Sequence, residues 1–306
     1  MVKAYLLQMN EDSVLYFGYG SNLDCSDWST FCEKEGLSPN GMRELVPAWL
    51  PDHRMVWHYH STGRKGGAAD VVPGVVGEAV PGVLYSLKGE AIEAMRMKEG
   101  SPTCYQPKEV MVLMADGEQV SAMTYVVTSS KVKDEFIEPR PEYVELIRNG
   151  LRMRDLPTTM LDDSLSQSYP SFPVKSIFAY GTLRKWCSRH DIITRYAPHE
   201  AVDARGRGIL YDFDIFPGMH PMKAKEVKGE LYSYKNPQRP LEHLDHIEGH
   251  WSWNDPECLF NRRIFIVEAE GVMRWAWVYM VKNPTFCTEI ESGDWIEHTK
   301  YRRNNR

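Results

Sequence analysis

The 306-residue sequence has no apolar run approaching the roughly twenty residues that cross a bilayer, no Cys-x-x-Cys spacing and no surplus of basic residues. The first absence excludes a spanning helix, and the short apolar run in Met1–Asn10 is too brief for the core of a signal peptide. Cys25, Cys32, Cys104, Cys187, Cys258 and Cys287 are scattered, which predicts free thiols in a reducing compartment and a cytoplasmic protein. With 36 Lys and Arg against 42 Asp and Glu, the net charge of −6 argues against a general nucleic-acid surface, and the basic tail Lys300–Arg306 reads as solvated. The glycine-rich stretch from Gly63 through Arg64 and Lys65 to Gly67 lacks the Gly-Lys-Ser/Thr ending of a phosphate loop and reads as a mobile turn. Metal chemistry has equally little to stand on. His58 and His60 share a strand face without a third partner, and His243, His246, His250 and Asp245 would need a helix to continue through Gly249 without any His-Glu-x-x-His pattern.

What the sequence does have is a repeat. Tyr16 to Leu23 (YFGYGSNL) returns as Phe178 to Leu183 (FAYGTL). Three further blocks follow each copy in the same order: Gly82–Leu87 is answered by Gly229–Tyr234, Met97–Gly100 by His246–Gly249, and Ala122–Val127 by Ala276–Val281. Four ordered matches at a period of roughly 150 residues imply two homologous domains, since solenoid repeats are far shorter. Hydrophobic content of 42% and charged content of 25% allow each half an ordinary core. Between Leu156 and Pro173 the chain turns to Asp, Ser, Thr and Pro, so the expected domains are 1–165 and 175–306, joined by a linker at 166–174.

Along the chain, Val14–Tyr19, Met55–His60, Gly82–Leu87, Val110–Met114 and Val120–Val127 read as strands, as do Ser176–Tyr180, Lys228–Tyr234, Arg263–Glu268 and Met273–Val281. Helices are expected at Glu90–Lys98, with Ile92, Met95 and Met97 inward, at Glu142–Arg154 behind Pro139 and Pro141, and at Pro240–Ile247. Two of these helices deliver Glu-Gly, at Glu99 and at Glu248. Trp275, Trp277 and Tyr279 fall on one strand face, where aromatics are usually core; Tyr279 is singled out by its match to Tyr125.

A strand that runs into Tyr-Gly and then a hydroxyl residue can converge backbone N–H groups on an anion, with Ser21 or Thr182 as an extra donor. One such turn is ordinary; two copies, each followed by a glutamate at an equivalent place, suggest a carboxylate site with a proton-transfer group. Partial burial lifts a carboxyl toward neutral pH, where it takes a proton in one step and returns it in the next.

The first half, with YFGYGSNL, GVLYSL, Lys98-Glu99-Gly100, Tyr105, and Pro141-x-Tyr143 leading to Gly150 and Leu156-Pro157, resembles a γ-glutamylcyclotransferase domain. The second, with FAYGTL, Gly208–Asp212, Phe216-Pro217-Gly218, Gly229–Tyr232, Leu244–Gly249 and Ala276–Tyr279, is similar to the γ-glutamylamine cyclotransferase, or AIG2-like, branch of the same superfamily. The resemblance implies an α+β fold of two homologous domains, each a small mixed β-barrel with flanking helices. It implies release of 5-oxoproline and a free amine from a γ-glutamyl amine or peptide, with Glu99 and Glu248 as general acid and base. Tyr19, Gly20, Ser21, Asn22, Leu23, Tyr105 and Tyr125 would bind substrate in the first domain, and Tyr180, Gly181, Thr182, Leu183 and Tyr279 in the second. Neither metal nor organic cofactor is required, and the expected partner is a small γ-glutamyl substrate, with no nucleic acid and no membrane. A monomer whose two domains pack as a pseudo-dimer follows by analogy with isologous dimers. Two alternatives stand beside this: one domain catalytic and the other a carboxylate-binding or structural module, or a γ-glutamyl acyltransferase or amidase. In the second half, Phe260-Asn261-Arg262 stands where the family more often has Tyr-x-Arg. Arg64, Lys65 and Asp70 match no family motif and read as loop residues.

Overall fold

The computed structural model describes residues 13–304 other than positions 254, 256, 283 and 286; Met1–Asn10 and the last two residues of the basic tail lie outside the described residues. The chain divides into two compact units, one reaching to residue 114 and including 120–173, the other formed by 115–119 with residues from 174 onward.

The first unit runs β1 (Ser13–Gly18), a 3₁₀ turn at Ser21–Leu23, α1 (Cys25–Glu35), β2 (Met42–Pro51), β3 (His53–Ser61), β4 (Gly66–Pro73), β5 (Ala79–Lys88), α2 (Glu90–Lys98), β6 (Tyr105–Met114), β7 (Gln119–Val127), α3 (Pro141–Arg152) and α4 (Thr159–Leu165). Five strands close into a barrel in the order β1-β5-β2-β6-β7, while β3 and β4 form a separate hairpin. β5 is antiparallel to both β1 and β2 and is buried from Ala79 to Leu87, because both of its faces are covered. α1, which the apolar pattern does not announce, starts where the Asp24 carboxylate accepts the N–H groups of Ser26 and Asp27 and stops at Gly36 with φ 69°.

The second unit runs β8 (Ser176–Ala179), α5 (His190–Thr194), β9 (Glu200–Asp212), β10 (Pro217–Ser233), α6 (Gln238–Glu248), β11 (Phe260–Ala269), β12 (Val272–Val281), β13 (Thr288–Glu289) and α7 (Trp295–Asn304). Its strands are ordered β10-β8-β12-β11-β9-β13, and β10 also pairs with β9, so five of the six form a ring.

The repeat extends to individual atoms. A Cβ at Gly82 would stand 2.4 Å from the Gly18 carbonyl oxygen and 2.6 Å from the Phe17 ring; at Gly229 it would stand 2.5 Å from both the Ala179 carbonyl oxygen and the Phe178 ring. Each glycine lets the strand that ends in the Tyr-Gly turn lie close against its neighbour. Tyr16 pairs with Met123 in parallel, as Ile177 does with Trp277.

Some expectations give way. The 156–173 stretch holds α4, which buries Met160 and Leu161, and Ser164 accepts the Trp57 indole N–H at 2.8 Å. Within the expected linker, the Ser171 N–H donates to Glu78 at 2.9 Å and the Tyr169 hydroxyl to the Met55 carbonyl at 2.6 Å. Polar composition conceals this packing because only a few apolar side chains of the stretch, Phe172 among them, are buried. Met97, expected inward, is exposed, and Ala91, Ala94 and Met95 form the buried side of α2. The basic tail is not simply solvated: Arg302 pairs with Asp212 and Asp214. All six cysteines are free thiols. Among the described residues no helix is long and apolar enough to cross a membrane.

Candidate active site

In the first unit the glutamate stands at the mouth of the barrel because a helix ends there. Glu99 caps α2 and Gly100, at φ 61°, turns the chain away. Glu99 as a residue is half-buried. The Asn22 side-chain amide donates to it at 2.7 Å and to the Tyr16 hydroxyl at 2.7 Å, while the Asn22 amide oxygen accepts from the Lys98 ammonium at 2.8 Å. Lys98 therefore fixes which end of the amide faces Glu99. Burial raises the Glu99 carboxyl above its ordinary range, and Lys98, the Asn22 bond and Arg64 oppose it. The adjoining turn is tied by Leu23 N–H to Gly20 at 3.1 Å and Asp24 N–H to Ser21 at 3.0 Å. Among the described residues the N–H groups of Gly20, Ser21 and Asn22 have no acceptor, which leaves them available to a ligand.

A charged cluster borders this turn. Arg64 grips Asp27 through two hydrogen bonds of 2.8 and 2.7 Å, donates to the Ser21 hydroxyl at 2.9 Å and lies over the Tyr143 ring; Lys98 reaches the same Asp27 at 2.6 Å. Burial alone would raise the Asp27 carboxyl, but the hydrogen bonds and charges of Arg64 and Lys98 override it and hold it at about 2. The stability this cluster contributes is complete above the ordinary value of 3.8 and is lost as pH falls from there through about 2. Asp27→Ala, which strands two cations, is expected to cost about 2 kcal/mol at neutral pH, discounted for the partial exposure of Arg64. Urea unfolding of the two proteins measures it.

In the second unit α6 ends on Glu248, and Gly249 at φ 69° terminates the helix. Tyr180, Gly181, Thr182, Leu183, Glu248 and Tyr279 line one cavity of about 140 Å³. The Tyr180 hydroxyl donates to the Tyr279 carbonyl at 2.7 Å, as the Tyr19 hydroxyl does to the Tyr125 carbonyl at 2.7 Å, so both turns are pinned to the barrel by the same bond. Arg184 N–H closes the turn on Gly181 at 3.1 Å, the counterpart of Leu23 on Gly20. With Tyr-Gly superposed, Asn22 corresponds to Leu183, and Ile247 stands before Glu248 where Lys98 stands before Glu99. Having lost both polar neighbours, Glu248 is pushed by burial up to about 7, with only Arg189 opposing.

Residues 16–145 and again 177–297 match the family described as Gamma-glutamyl cyclotransferase, AIG2-like. The chain belongs to this family. It is 27% identical over 154 residues to human gamma-glutamylcyclotransferase, covering 48% of this chain and 75% of that protein. A solved structure named gamma-glutamyl cyclotransferase matches at 24% identity over 52% of this chain and 89% of its own, with a TM-score of 0.42. The Bacillus subtilis protein YkqA matches over 95% of this chain and 98% of its own, at 14% identity and a TM-score of 0.38.

Of the cyclotransferase-family residues singled out by sequence, the structure brings Ser21, Asn22 and Glu99 into one hydrogen-bonded group through Lys98. Tyr105 and Tyr125 lie close enough to Glu99 for its charge to raise their hydroxyls further, on top of burial. The Tyr105 hydroxyl is spent on the Ala69 carbonyl at 2.8 Å. Leu23 packs elsewhere: a Cβ on Gly150 of α3 would stand 2.4 Å from its Cβ, so it anchors the turn to the helix. Phe260, the first residue of β11 as Tyr105 is of β6, lines the second cavity with no hydroxyl to place.

Arg64 and Asp70 are not plain loop residues. Arg64 forms the charged cluster, and Asp70 is buried in β4, where it binds His58 at 2.7 Å and accepts the N–H groups of Val71 and Val127. No local motif announces either, since Arg64 comes from a hairpin outside the barrel; the only signal was a basic pair among glycines. The three histidines near Glu248 are separated. His243 meets Tyr196, His246 meets the Trp251 ring, and His250 is buried past the helix end. Among the described residues no three His, Cys, Asp or Glu side chains are grouped to hold a metal ion.

Proposed function

We propose that each unit is a γ-glutamylcyclotransferase, a lyase that releases 5-oxoproline and a free amine from a γ-glutamyl amine or peptide. The observation that carries this reading is the second cavity, where a glutamate of near-neutral pKa and the Tyr180–Leu183 turn line the same small space. The turn would hold the glutamyl carboxylate. Glu248, or Glu99 in the first unit, would take a proton from the α-amine as its nitrogen attacks the γ-carbonyl carbon. A new C–N bond closes the five-membered ring, the γ-amide C–N bond breaks, and the same carboxyl returns the proton to the departing nitrogen. Substrate and products have the same atoms, so no water or electron carrier enters. Having both reacting groups in one molecule supplies much of the rate. A small γ-glutamyl metabolite acted on in the cytoplasm fits the free thiols and the net charge of −6.

The test is 5-oxoproline release from glutathione, γ-glutamyl amino acids, γ-glutamyl-lysine and γ-glutamylated polyamines; no product from any of them rejects the reading. pH supplies a second check. In Glu99→Gln protein, where only the second site turns over, kcat/KM should rise with pH through about 7 as Glu248 ionises. Stability should move the other way. Glu248 holds its proton to about 7 when folded but only to about 4.5 when unfolded, so its contribution is present below 4.5 and declines as pH rises to about 7. Thermal melts across that interval, with Glu248→Gln as the flat control, read the sign.

A further inference from the structure

Thr182 lines the cavity that contains Glu248. That residue also lines a second, open hollow of about 490 Å³ whose apolar wall is made by Trp186, Ile215, Trp295 and Ile296. The inner cavity, at about 140 Å³, is smaller than the roughly 300 Å³ or more that encloses a whole small ligand. A γ-glutamyl compound larger than this space would extend its amine portion beyond it, and the hollow that shares Thr182 with it is the candidate for that portion.

Two residues of the hollow are unusual for a surface. Trp186 is 87% exposed and Ile215 is 74% exposed, and the Lys185 ammonium lies over the indole at 5.0 Å from its ring centre. Trp186 also sits at φ 68°, a region that bulky residues rarely adopt, held there by bonds from Cys187 N–H to Arg184 and from Arg189 N–H to Thr182. The same loop that carries the indole outward is thus tied back to the turn of the inner site. Of the charged residues lining the hollow, Arg302 is paired with Asp214 and also reaches Asp212, while Lys300 adds a further cation to the wall. The hollow therefore offers a ligand indole and aliphatic surface beside the Lys300 ammonium and the hydroxyls of Thr182, Ser188 and Thr299.

We propose that this hollow is the leaving-group subsite of the second domain and that it receives an aromatic amine, stacked on Trp186 and packed against Ile215; the proposal rests on the cyclotransferase reading above. The hollow beside the first site has a different character, being bordered by Arg64, Lys65 and Arg140 around Tyr143, so aryl preference should belong to the second site.

The test compares γ-glutamyl-phenethylamide with γ-glutamyl-ethylamide in Glu99→Gln protein. The aryl compound should be favoured in kcat/KM by about tenfold or more, and Trp186→Ala should bring the ratio to within about threefold, with Trp186→Phe restoring most of it. Ile215→Ala should lower the ratio partway. A ratio near one, or one that Trp186→Ala leaves unchanged, overturns the subsite. If neither compound is cyclised, calorimetric binding of both amides separates the two ideas. Tighter aryl binding that is lost in Trp186→Ala keeps the subsite and rejects the reaction, whereas equal binding rejects the subsite.

Discussion

Glu99→Gln and Glu248→Gln should each lower 5-oxoproline release at their own site by about 10²- to 10⁴-fold, the range a positioned acid–base group supplies. Glutamine is a fair test because it keeps the shape and removes only the proton transfer. At position 99 the amide oxygen can still accept from Asn22, so the Asn22 contacts to Tyr16 and Lys98 need not move. At position 248 the site already favours the uncharged carboxyl, so a neutral amide should cost no stability and above pH 7 should add some. The double variant should retain no measurable activity. Loss with one substitution alone would assign catalysis to that unit and leave the other as a binding or structural module. Full activity in both single variants and in the double variant would remove the carboxyls from the mechanism altogether. Unchanged thermal melts keep a folding defect from imitating the result.

The repeat was legible because backbone geometry forces it. A strand that must pass close to its neighbour needs Gly82 or Gly229, a helix that must stop at its glutamate needs Gly100 or Gly249, and these glycines keep their order after Tyr-Gly, with Gly100 and Gly249 each directly following the glutamate. What sequence could not reveal is which side chains come back to the turn from a distance. Arg64 is 43 residues from Ser21 and Lys98 is 77, and each joins the cluster through Asp27 on a helix that has little apolar periodicity. The difference between the two sites was partly visible, since Leu183 in place of Asn22 can be read by aligning Tyr-Gly. Its consequence, a carboxyl left to burial alone, depends on Asn22 turning inward, which only the fold decides. The missing tyrosine at Phe260 was visible too, but the partner of the neighbouring arginine was not.

That arginine carries the second large effect. Arg262 is 1% exposed, lies 5.0 Å from the ring centres of both Trp253 and Trp277, and meets the Asp245 carboxylate at 3.2 Å. Two indole faces can stabilise a guanidinium, but they do not neutralise it. Asp245 also accepts the Tyr279 hydroxyl at 2.7 Å, and the Tyr279 carbonyl in turn receives the Tyr180 hydroxyl, so one carboxylate on α6 joins the buried cation to the Tyr180 turn. Asp245→Ala should therefore cost the second unit about 3–5 kcal/mol, the usual consequence of leaving a buried charge without its partner. Asp245→Asn, which can still accept from Tyr279, should cost less. Pairing Asp245→Ala with Arg262→Met removes the charge together with its partner and should recover much of the loss, because a thioether side chain can pack between the indoles. Urea unfolding followed by tryptophan fluorescence reads this directly, since Trp253 and Trp277 flank the cation. A loss below about 1 kcal/mol for Asp245→Ala would mean that the rings and neighbouring dipoles already satisfy Arg262. The turn at Tyr180 would then owe its position to the barrel rather than to the ion pair.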